Sequence, residues 1–360
     1  MTRMTDAIPV RERLRSEIER FDPQLDIEMA KPPPGAWYTD ARFLELEQHT
    51  TFSRHWQFVG RSDQVGATGS FFTGTVLNRP YLVVRDEDDE LRAFYNVCAH
   101  HGTKVASGCG SASEFTCPYH GWQYHLSGGL KRAPRAGAVE AFRKRTVGLK
   151  PLPVITWGPF VLVHFGTPSH LDGIETERES LAMESLRFVA QRVFDLPCNW
   201  KVFVDNYVDG GYHVPLMHKD LTESLEIDAY SSRLGDGYSV QTCPSKGGRL
   251  GDLAKYLFVH PNFMINRYGS WMDTNLVLPD GPDRCTVVFD YYHDGPLDEK
   301  VLARALDDSK QVQQEDTEIV SLVQEGLASG AYEGLYAPRF EQPMLQFHRM
   351  LAADFAAQAD

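Results

Sequence analysis

The first apolar residues of the chain recur at helical spacing. Val10, Leu14 and Ile18 are separated by Arg and Glu side chains, so residues 10–21 are predicted to form a short amphipathic helix. The run Pro32–Gly35 then breaks the pattern and predicts an extended segment. We therefore expect residues 1–45 to be a helix and a lead-in to the first domain.

Short apolar runs separated by Gly-rich turns dominate residues 46–168. They predict the strands Phe71–Val76, Tyr81–Arg85, Leu91–Phe94 and Phe160–Phe165. Asp86–Glu90 supplies a polar hairpin turn between two of them. The pattern predicts an all-β domain.

Residues 169–360 combine both periodicities. A charged stretch up to residue 185 predicts a linker and a helix, and Cys285–Tyr292 alternates as a strand does. A long helical pattern then runs from Asp298 to Leu327. The second domain is therefore predicted to be α+β, and so is the fold class of the whole chain.

Composition and charge narrow the class of protein. The chain has 360 residues, of which 42% are hydrophobic and 24% are charged, and no apolar run reaches the roughly 18 residues that a membrane span needs. A net charge of −13 argues against nucleic acid and anionic membranes as partners. Six cysteines in a chain of this length give no disulfide framework, and the N-terminus lacks a signal or transit pattern. A reducing cytoplasm is the expected compartment.

Paired Cys and His residues provide the first chemical signal. Cys98-Ala-His100 is followed, after sixteen residues, by Cys117-Pro-Tyr-His120. Each arm carries one thiolate and one imidazole, which is typical of a Rieske [2Fe–2S] cluster, where two Cys hold one iron and two His hold the other. We predict these four residues as cluster ligands in two loops of the β domain.

A structural zinc site is the competing interpretation, since Cys2His2 sets also bind zinc. Zinc fingers usually begin with two Cys and end with two His, so the mixed arms favour the cluster. His101 and His125 do not fit the ligand spacing and are expected to lie near the site or at the surface. Cys109, between the arms, is expected to pack near the cluster.

A second pair of histidines lies in the second domain. His213 and His218 are five residues apart, which an ideal helix would turn about 140° from each other. Gly210, Gly211 and Pro215 predict a distorted helix that lets both imidazoles meet. Two His and one carboxylate form the facial triad of non-haem Fe(II) oxygenases.

The third ligand is predicted from the periodicity of the late helix. Its expected buried stripe consists of Val312, Ile319, Val320, Val323 and Leu327. Asp316 lies on that face, where a carboxylate needs a metal or a partner. Glu315 and Glu318 lie off the stripe and are expected to be solvated. The alternative for Asp316 is a buried salt bridge to an arginine such as Arg267.

The two constellations, in this order, resemble the catalytic (alpha) subunits of Rieske non-haem iron oxygenases, and are closest to the choline monooxygenases and their bacterial relatives. Three segments outside the Rieske motif carry the likeness: Asn199–His213, Pro261–Asn275 and Val323–Tyr332. The resemblance runs from about residue 35. It implies a helix-grip catalytic domain, a homotrimer, and electron transfer from the cluster of one subunit to the mononuclear iron of the next.

The resemblance also implies an acid that bridges the two metal sites. Ring-hydroxylating members usually carry it three residues before the first His ligand, where this chain has Gly210. Asp209, one residue earlier, is our choice, with Asp205 as the second candidate.

The implied activity is O2-dependent monooxygenation with two electrons from a ferredoxin or a flavin reductase. The expected substrate is choline or a related quaternary ammonium or N-methyl compound, and an aromatic ring hydroxylase or a Rieske electron carrier are the alternatives. A quaternary ammonium would need aromatic faces. Six aromatic residues are available in the catalytic domain: Phe203, Tyr207, Trp271, Phe289, Tyr291 and Tyr292.

Overall fold

The computed structural model describes residues 10–137, 147–168 and 172–357. They divide into two compact units. The first consists of the described residues of Phe52–Ser169, and the second of those before and after this stretch. The short helix α4 (Thr51–Arg54) begins where the chain passes from the second unit into the first.

The first unit is built from antiparallel strands, as the sequence predicts. Among the described residues they form a five-stranded sheet in the order β5-β2-β3-β4-β9 and two three-stranded sheets, β1-β11-β10 and β6-β7-β8. The strands are β1 (Gln57–Arg61), β2 (Ser70–Val76), β3 (Arg79–Arg85), β4 (Leu91–Tyr95), β5 (Cys109–Ser111), β6 (Phe115–Thr116), β7 (Gln123–Tyr124), β8 (Leu130–Arg132), β9 (Pro151–Leu152), β10 (Val154–Trp157) and β11 (Phe160–Val163).

The apolar core of this unit reaches the Cys/His loops. Leu82, Phe94 and Phe115 pack in one buried cluster with Cys98 and Cys117. Both cysteines therefore lie at the base of their loops, against side chains from β3, β4 and β6.

The second unit contains a seven-stranded antiparallel sheet in the order β12-β18-β17-β16-β15-β14-β13. Its strands are β12 (Leu186–Leu196), β13 (Ser231–Gly235), β14 (Tyr238–Pro244), β15 (Leu253–Val259), β16 (Phe263–Tyr268), β17 (Trp271–Pro279) and β18 (Cys285–Asp294). The sheet and the helices beside it make this unit α+β, so the predicted fold class is confirmed.

The helices of this unit come from both ends of the chain. They are α1 (Val10–Ile18), α2 (Ala36–Thr39), α3 (Ala41–His49), α5 (Asp172–Leu181), α6 (Trp200–Tyr207), α7 (Val214–Met217), α8 (Lys219–Ser224), α9 (Glu299–Ala328) and α10 (Gln342–Ala356). Trp37 of α2 contacts Phe355 of α10 with ring centroids 4.9 Å apart. The N-terminal helices are thus part of this unit's core. Among the described helices, none combines the length and apolar character that a membrane crossing requires.

The long helix α9 begins and ends as predicted, with the Asp298 side chain accepting a hydrogen bond from the Lys300 N–H at 2.8 Å. Its buried face agrees with the predicted stripe at Val320 and Leu327 and differs from it one turn away. Val323 is 44% exposed, whereas Gln324 is buried and its Oε1 accepts the Asn199 N–H at 2.8 Å. The predicted stripe missed Gln324 because a polar side chain with its own buried partner does not register as apolar periodicity.

Candidate metal centres and active site

The first Cys/His loop closes on two backbone hydrogen bonds. The Cys98 N–H donates to the Thr103 carbonyl at 2.8 Å, and the Gly102 N–H donates back to the Cys98 carbonyl at 3.0 Å. Gly102 has a φ of +78°, a conformation that favours glycine. The turn thus holds the cysteine and the histidine of this arm within one short loop.

The second loop repeats this pattern. The Cys117 N–H donates to the Trp122 carbonyl at 2.7 Å, and the Gly121 N–H donates to the Cys117 carbonyl at 3.0 Å. Gly121 has a φ of +72°, close to that of its counterpart in the first loop. The two arms are therefore two copies of one turn, although their histidines stand at different offsets from the cysteine.

The four predicted donors divide into a buried pair and an exposed pair. Cys98 and Cys117 are each 2% exposed, whereas His100 and His120 are exposed with ring centroids 4.6 Å apart. In the described structure, no three of the four donor atoms lie within 4.8 Å of one another, as three ligands of a single zinc ion would. Two separate pairs suit a cluster with one thiolate-bound and one imidazole-bound iron.

Tyr124 supports the cysteine end and was not singled out from the sequence. Its hydroxyl lies 3.1 Å from Cys98 Sγ and accepts the Ala99 N–H at 3.0 Å. Burial, followed by the contact with Cys98, raises the pKa of this phenol, so it stays a neutral donor. A hydrogen bond to a ligand sulfur is one of the contacts that set a cluster's potential.

The neighbouring residues agree only in part with expectation. His101 and His125 are exposed, and the His101 ring centroid lies 3.9 Å from that of His100. Cys109 was expected to pack near the cluster, and this was wrong. It is exposed on β5, an edge strand.

The histidine pair of the second unit lies in a break between helices. α6 ends at Tyr207, and Gly210 and Gly211 follow with φ values of +76° and +72°. His213 then precedes α7 and His218 follows it. The interrupted helix brings the two rings to a centroid distance of 5.2 Å.

Asp316 of α9 joins the two imidazoles. Its Oδ1 lies 3.2 Å from His218 Nε2 and 3.9 Å from His213 Nε2, and it accepts a hydrogen bond from the Asn206 amide at 3.0 Å. The three ligand atoms lie within 4.8 Å of one another. Arg267, the alternative partner, instead donates to the backbone carbonyls of Leu181 and Trp271. Two imidazoles and a carboxylate on one point fit a mononuclear iron.

The electrostatics of this group also suit a cation. Burial lowers the pKa of His218, but hydrogen bonds and charge from Asp316 and Glu315 outweigh it, so the pKa lies above its ordinary value. The carboxylates around His218 thus favour positive charge at this position.

Each imidazole binds a further carboxylate through its other nitrogen. His213 Nδ1 lies 2.6 Å from Asp209, and His218 Nδ1 lies 2.7 Å from Glu315. Such contacts orient a ligand ring so that Nε2 faces the metal. The expectation that Glu315 is solvated holds only in part, because its side chain is 29% exposed but contacts His218. Its position beside Asp316 on α9 carried no signal, because the contact depends on how α9 meets the helix break.

Asp209 and Asp205 have different surroundings. Besides His213 Nδ1, the Asp209 carboxylate accepts the backbone N–H groups of Gly211, Tyr212 and His213 at 2.9–3.2 Å. Asp205 instead accepts from the Tyr38 hydroxyl at 2.7 Å and contacts His348 Nε2 at 2.9 Å.

The structure also explains the departure at position 210. A Cβ on Gly210 would lie 2.1 Å from the Phe340 carbonyl oxygen, and its φ is unfavourable for any other residue. An acid at this position could not adopt the observed turn, and Asp209 supplies the carboxylate one residue earlier.

A cavity of about 1040 Å³ reaches the histidine pair and Asp316. Four of the six aromatic candidates line it, together with three further tyrosines: Phe203, Tyr207, Trp271 and Phe289, then Tyr230, Tyr256 and Tyr268. Tyr291 and Tyr292 are buried but are not among its lining residues. Strand alternation alone could not separate the candidates, because both faces of β18 carry buried aromatic rings.

Two family models match the chain. The Rieske [2Fe-2S] domain matches residues 55–143, and the ring hydroxylating alpha subunit (catalytic domain) matches residues 183–253 and 248–356. The chain is also 45% identical to the chloroplastic choline monooxygenase of Arabidopsis thaliana, over 93% of this chain and 85% of that protein. The chain belongs to the Rieske non-haem iron oxygenases. Its cofactors are therefore a Rieske [2Fe–2S] cluster and a mononuclear non-haem iron.

Other proteins that resemble this oxygenase belong to the same family or share its fold. This chain is 28% identical to the oxygenase subunit of carnitine monooxygenase from Acinetobacter baumannii, over 84% of this chain and 86% of that one. A solved quaternary ammonium Rieske monooxygenase superposes with a TM-score of 0.82 at 25% identity, covering 91% of this chain and 96% of that one. Naphthalene 1,2-dioxygenase from Rhodococcus shares the fold, with a TM-score of 0.80 at 18% identity over 97% and 99% of the chains.

Proposed function

We propose that this oxygenase hydroxylates choline or a closely related quaternary ammonium compound. One oxygen atom of O2 enters a C–H bond of the substrate, the other leaves as water, and two electrons and two protons complete the balance. The observation that carries the proposal is the cavity beside His213, His218 and Asp316, which is lined by aromatic rings and carboxylates.

The ligand assignments are part of the proposal. We assign Cys98, His100, Cys117 and His120 to the cluster, and His213, His218 and Asp316 to the mononuclear iron. When bound, the iron supplies the site at which O2 is activated. The protein's part is to orient each imidazole through Asp209 or Glu315 and to keep Asp316 in place through Asn206. We propose residues 46–168 as the Rieske domain and residues 169–360 as the catalytic domain; the described residues before Phe52 pack with the second unit.

The charge of the cavity favours a cationic substrate. Eight acidic side chains line it, against two arginines: Asp209, Asp220, Glu223, Asp273, Asp307, Asp308, Glu315 and Asp316, against Arg249 and Arg304. An anionic aromatic acid would be repelled by this lining, whereas a cation would be attracted. The aromatic rings add surfaces for a cation that has no hydrogen to donate.

The named relatives point the same way. Choline and carnitine, the substrates in the names of the similar monooxygenases, are both quaternary ammonium compounds. The 45% identity to choline monooxygenase exceeds the 28% to the carnitine enzyme, so choline is the first candidate.

We further propose a homotrimer in which the cluster of one subunit supplies electrons to the iron of the next. One solved relative is described in terms of inter-subunit electron transfer, which supports the scheme. Asp209 is the proposed bridge, since it is 7% exposed and already holds the Nδ1 of one iron ligand. A ferredoxin or flavin reductase is the proposed electron donor, and the cytoplasm is the proposed compartment.

Turnover by the purified holoenzyme tests the substrate. Choline, carnitine and naphthalene would each be incubated with reductant, a reductase and ¹⁸O2, and products followed by mass spectrometry. The proposal predicts oxidation of choline coupled to O2 consumption. A hydroxyl placed on the alcohol carbon gives an aldehyde hydrate, which exchanges its ¹⁸O with water, so the product is scored by its oxidation level as well as by its label. His213→Ala, which leaves the β unit intact, is the control for cluster chemistry alone. Oxygen insertion into naphthalene, with none into choline or carnitine, would refute the proposed substrate class.

A further inference from the structure

A second buried carboxylate faces the cavity besides Asp209. Asp273 lies on β17, is 5% exposed and lines the cavity wall. In the sheet it is paired with Asn266 of β16 on one side and Tyr291 of β18 on the other. Other acids of the lining, such as Asp220, Glu223, Asp307 and Asp308, are exposed. Asp273 therefore contributes charge from the sheet side of the cavity, out of contact with bulk water.

Both oxygens of Asp273 are occupied by neutral donors. The Tyr268 hydroxyl donates to Oδ1 at 2.5 Å, and the Asn266 amide donates to Oδ2 at 2.7 Å. Among the described residues, no Lys, Arg or His nitrogen lies within salt-bridge distance of it; Arg249 stacks over the Tyr268 ring at 5.2 Å. A buried carboxylate without an ionic partner is costly. No cation of the described residues neutralises this one, so a cationic ligand that enters the cavity can do so.

Burial also changes the pKa of the Asp273 carboxyl. It raises the pKa of Asp273, and the hydrogen bonds from Tyr268 and Asn266, with the charge of Arg249, only partly oppose the rise. A cation placed beside the group would favour its ionised form.

Several neighbours of Asp273 on the same face of the sheet are aromatic. Trp271 stands two residues away on β17 and is paired with Tyr268, and Phe289 is paired with Asn275. Tyr207 reaches the same patch, since its hydroxyl donates to Asn266 Oδ1 at 2.9 Å. One negative charge thus lies within a wall of ring faces and edges.

We propose that Asp273 is the residue that recognises the substrate's quaternary ammonium group, by charge rather than by hydrogen bonding. This inference rests on the proposed function and names the recognition residue within it. A quaternary nitrogen has no hydrogen to donate, so a carboxylate whose oxygens are already hydrogen-bonded to its own sheet loses nothing by facing it. The surrounding rings supply the cation–π part of the contact.

A purely structural role for Asp273 makes a different prediction. If it only fixes Tyr268 and Asn266, its removal should weaken all ligands of the same shape alike. Choline and 3,3-dimethylbutan-1-ol form such a pair, because carbon replaces the charged nitrogen and the shape is kept.

The experiment is calorimetric titration of the holoenzyme with both compounds. The wild-type protein should bind choline roughly tenfold more tightly than its carbon analogue. The reason is that the Asp273 carboxylate is shielded from water, which strengthens its attraction to a cation. Asp273→Asn should lose most of that preference while keeping both metals. Asp273→Ser serves as a second variant. An Asn at position 273 could place its amide N–H groups opposite those of Asn266, and Ser avoids this clash of donors.

Asp290→Asn is the matched control. Asp290 lies on β18, next to Phe289, so it points to the opposite face of the same sheet, where it accepts the Gln191 amide at 2.7 Å. This variant removes the same charge and should keep the preference for choline. An unchanged preference in folded Asp273→Asn or Asp273→Ser protein would overturn the inference. Turnover of choline by wild type, measured in parallel, reports separately on the proposed function.

Discussion

The two metal-binding regions of this oxygenase are assembled in different ways. The proposed cluster donors come from two nearby turns, at Cys98–Gly102 and Cys117–Gly121, which close on equivalent backbone hydrogen bonds. The proposed iron group takes two imidazoles from the break between α6 and α7 and its carboxylate from α9, much later in the chain. The first region is a local motif repeated, and the second exists only when distant helices pack together.

This difference predicts how each region fails. A local turn depends on its own few residues, so damage to one cluster ligand should stay within the β unit. The iron group depends on contacts along α6 and α9, so it should respond both to its ligands and to buried residues that hold these helices.

Loss of a cysteine ligand should have the largest effect. Cys98→Ser or Cys117→Ser should abolish the Rieske absorption and all coupled turnover, because thiolates hold one iron of the cluster. Mononuclear iron, measured by metal analysis, should remain. Tetrahedral zinc without inorganic sulfide in anaerobically prepared wild-type protein would contradict the cluster assignment.

Loss of an iron ligand should give the converse phenotype. His213→Ala, His218→Ala and Asp316→Ala should each remove mononuclear iron and turnover while the cluster keeps its colour, since the three atoms meet at one point. Visible absorption and iron counts on the same sample check this. Stoichiometric iron with normal turnover in Asp316→Ala would remove that residue from the ligand set.

The third prediction concerns the support of α6. Lys201 and Glu47 form an ion pair between α6 and α3 in which both side chains are fully buried. Lys201→Met leaves Glu47 buried without its partner and should lower the free energy of unfolding of the second unit by about 3–5 kcal/mol. Denaturant titration followed by tryptophan fluorescence measures it.

An exposed ion pair of the same unit provides the control. Arg284 and Asp280 lie 2.5 Å apart and are 64% and 58% exposed, so Arg284→Met should change stability by no more than about 1 kcal/mol. Equal losses for the two variants would mean that the buried pair does not support α6.

The smallest effects should come from the carboxylates behind the imidazoles. Asp209→Asn and Glu315→Gln keep the size of each side chain and remove its charge. Both should cost roughly 10- to 100-fold in iron affinity or activity, as expected for residues that orient metal ligands. Only Asp209→Asn should also slow reoxidation of the cluster in stopped-flow traces. Equal reoxidation rates in the two variants would argue against Asp209 as the bridge.

The sequence predicted the local features better than the packed ones. The strands, the long helix and the helix break at Gly210–Gly211 follow from periodicity and from glycine, and these agree with the structure. The meeting of Asp316 with His213 and His218 could be predicted, because an acid on an apolar face needs a partner. Glu315 and Tyr124 could not, because each acts through a contact with a residue distant in sequence. Asp273 was missed for the same reason, since only the sheet register brings Asn266 beside it.

Mixed oligomers test most directly whether the two regions work across subunits. A cluster-deficient chain, Cys98→Ser, would be co-assembled with an iron-deficient chain, His213→Ala, and the mixed species isolated by two different affinity tags. Each chain alone should be inactive, and the mixed oligomer should regain part of the wild-type turnover, because an intact cluster then faces an intact iron group on its neighbour. No turnover from verified mixed oligomers with full metal content at the intact sites would mean that electrons pass within one chain, which contradicts electron transfer between subunits.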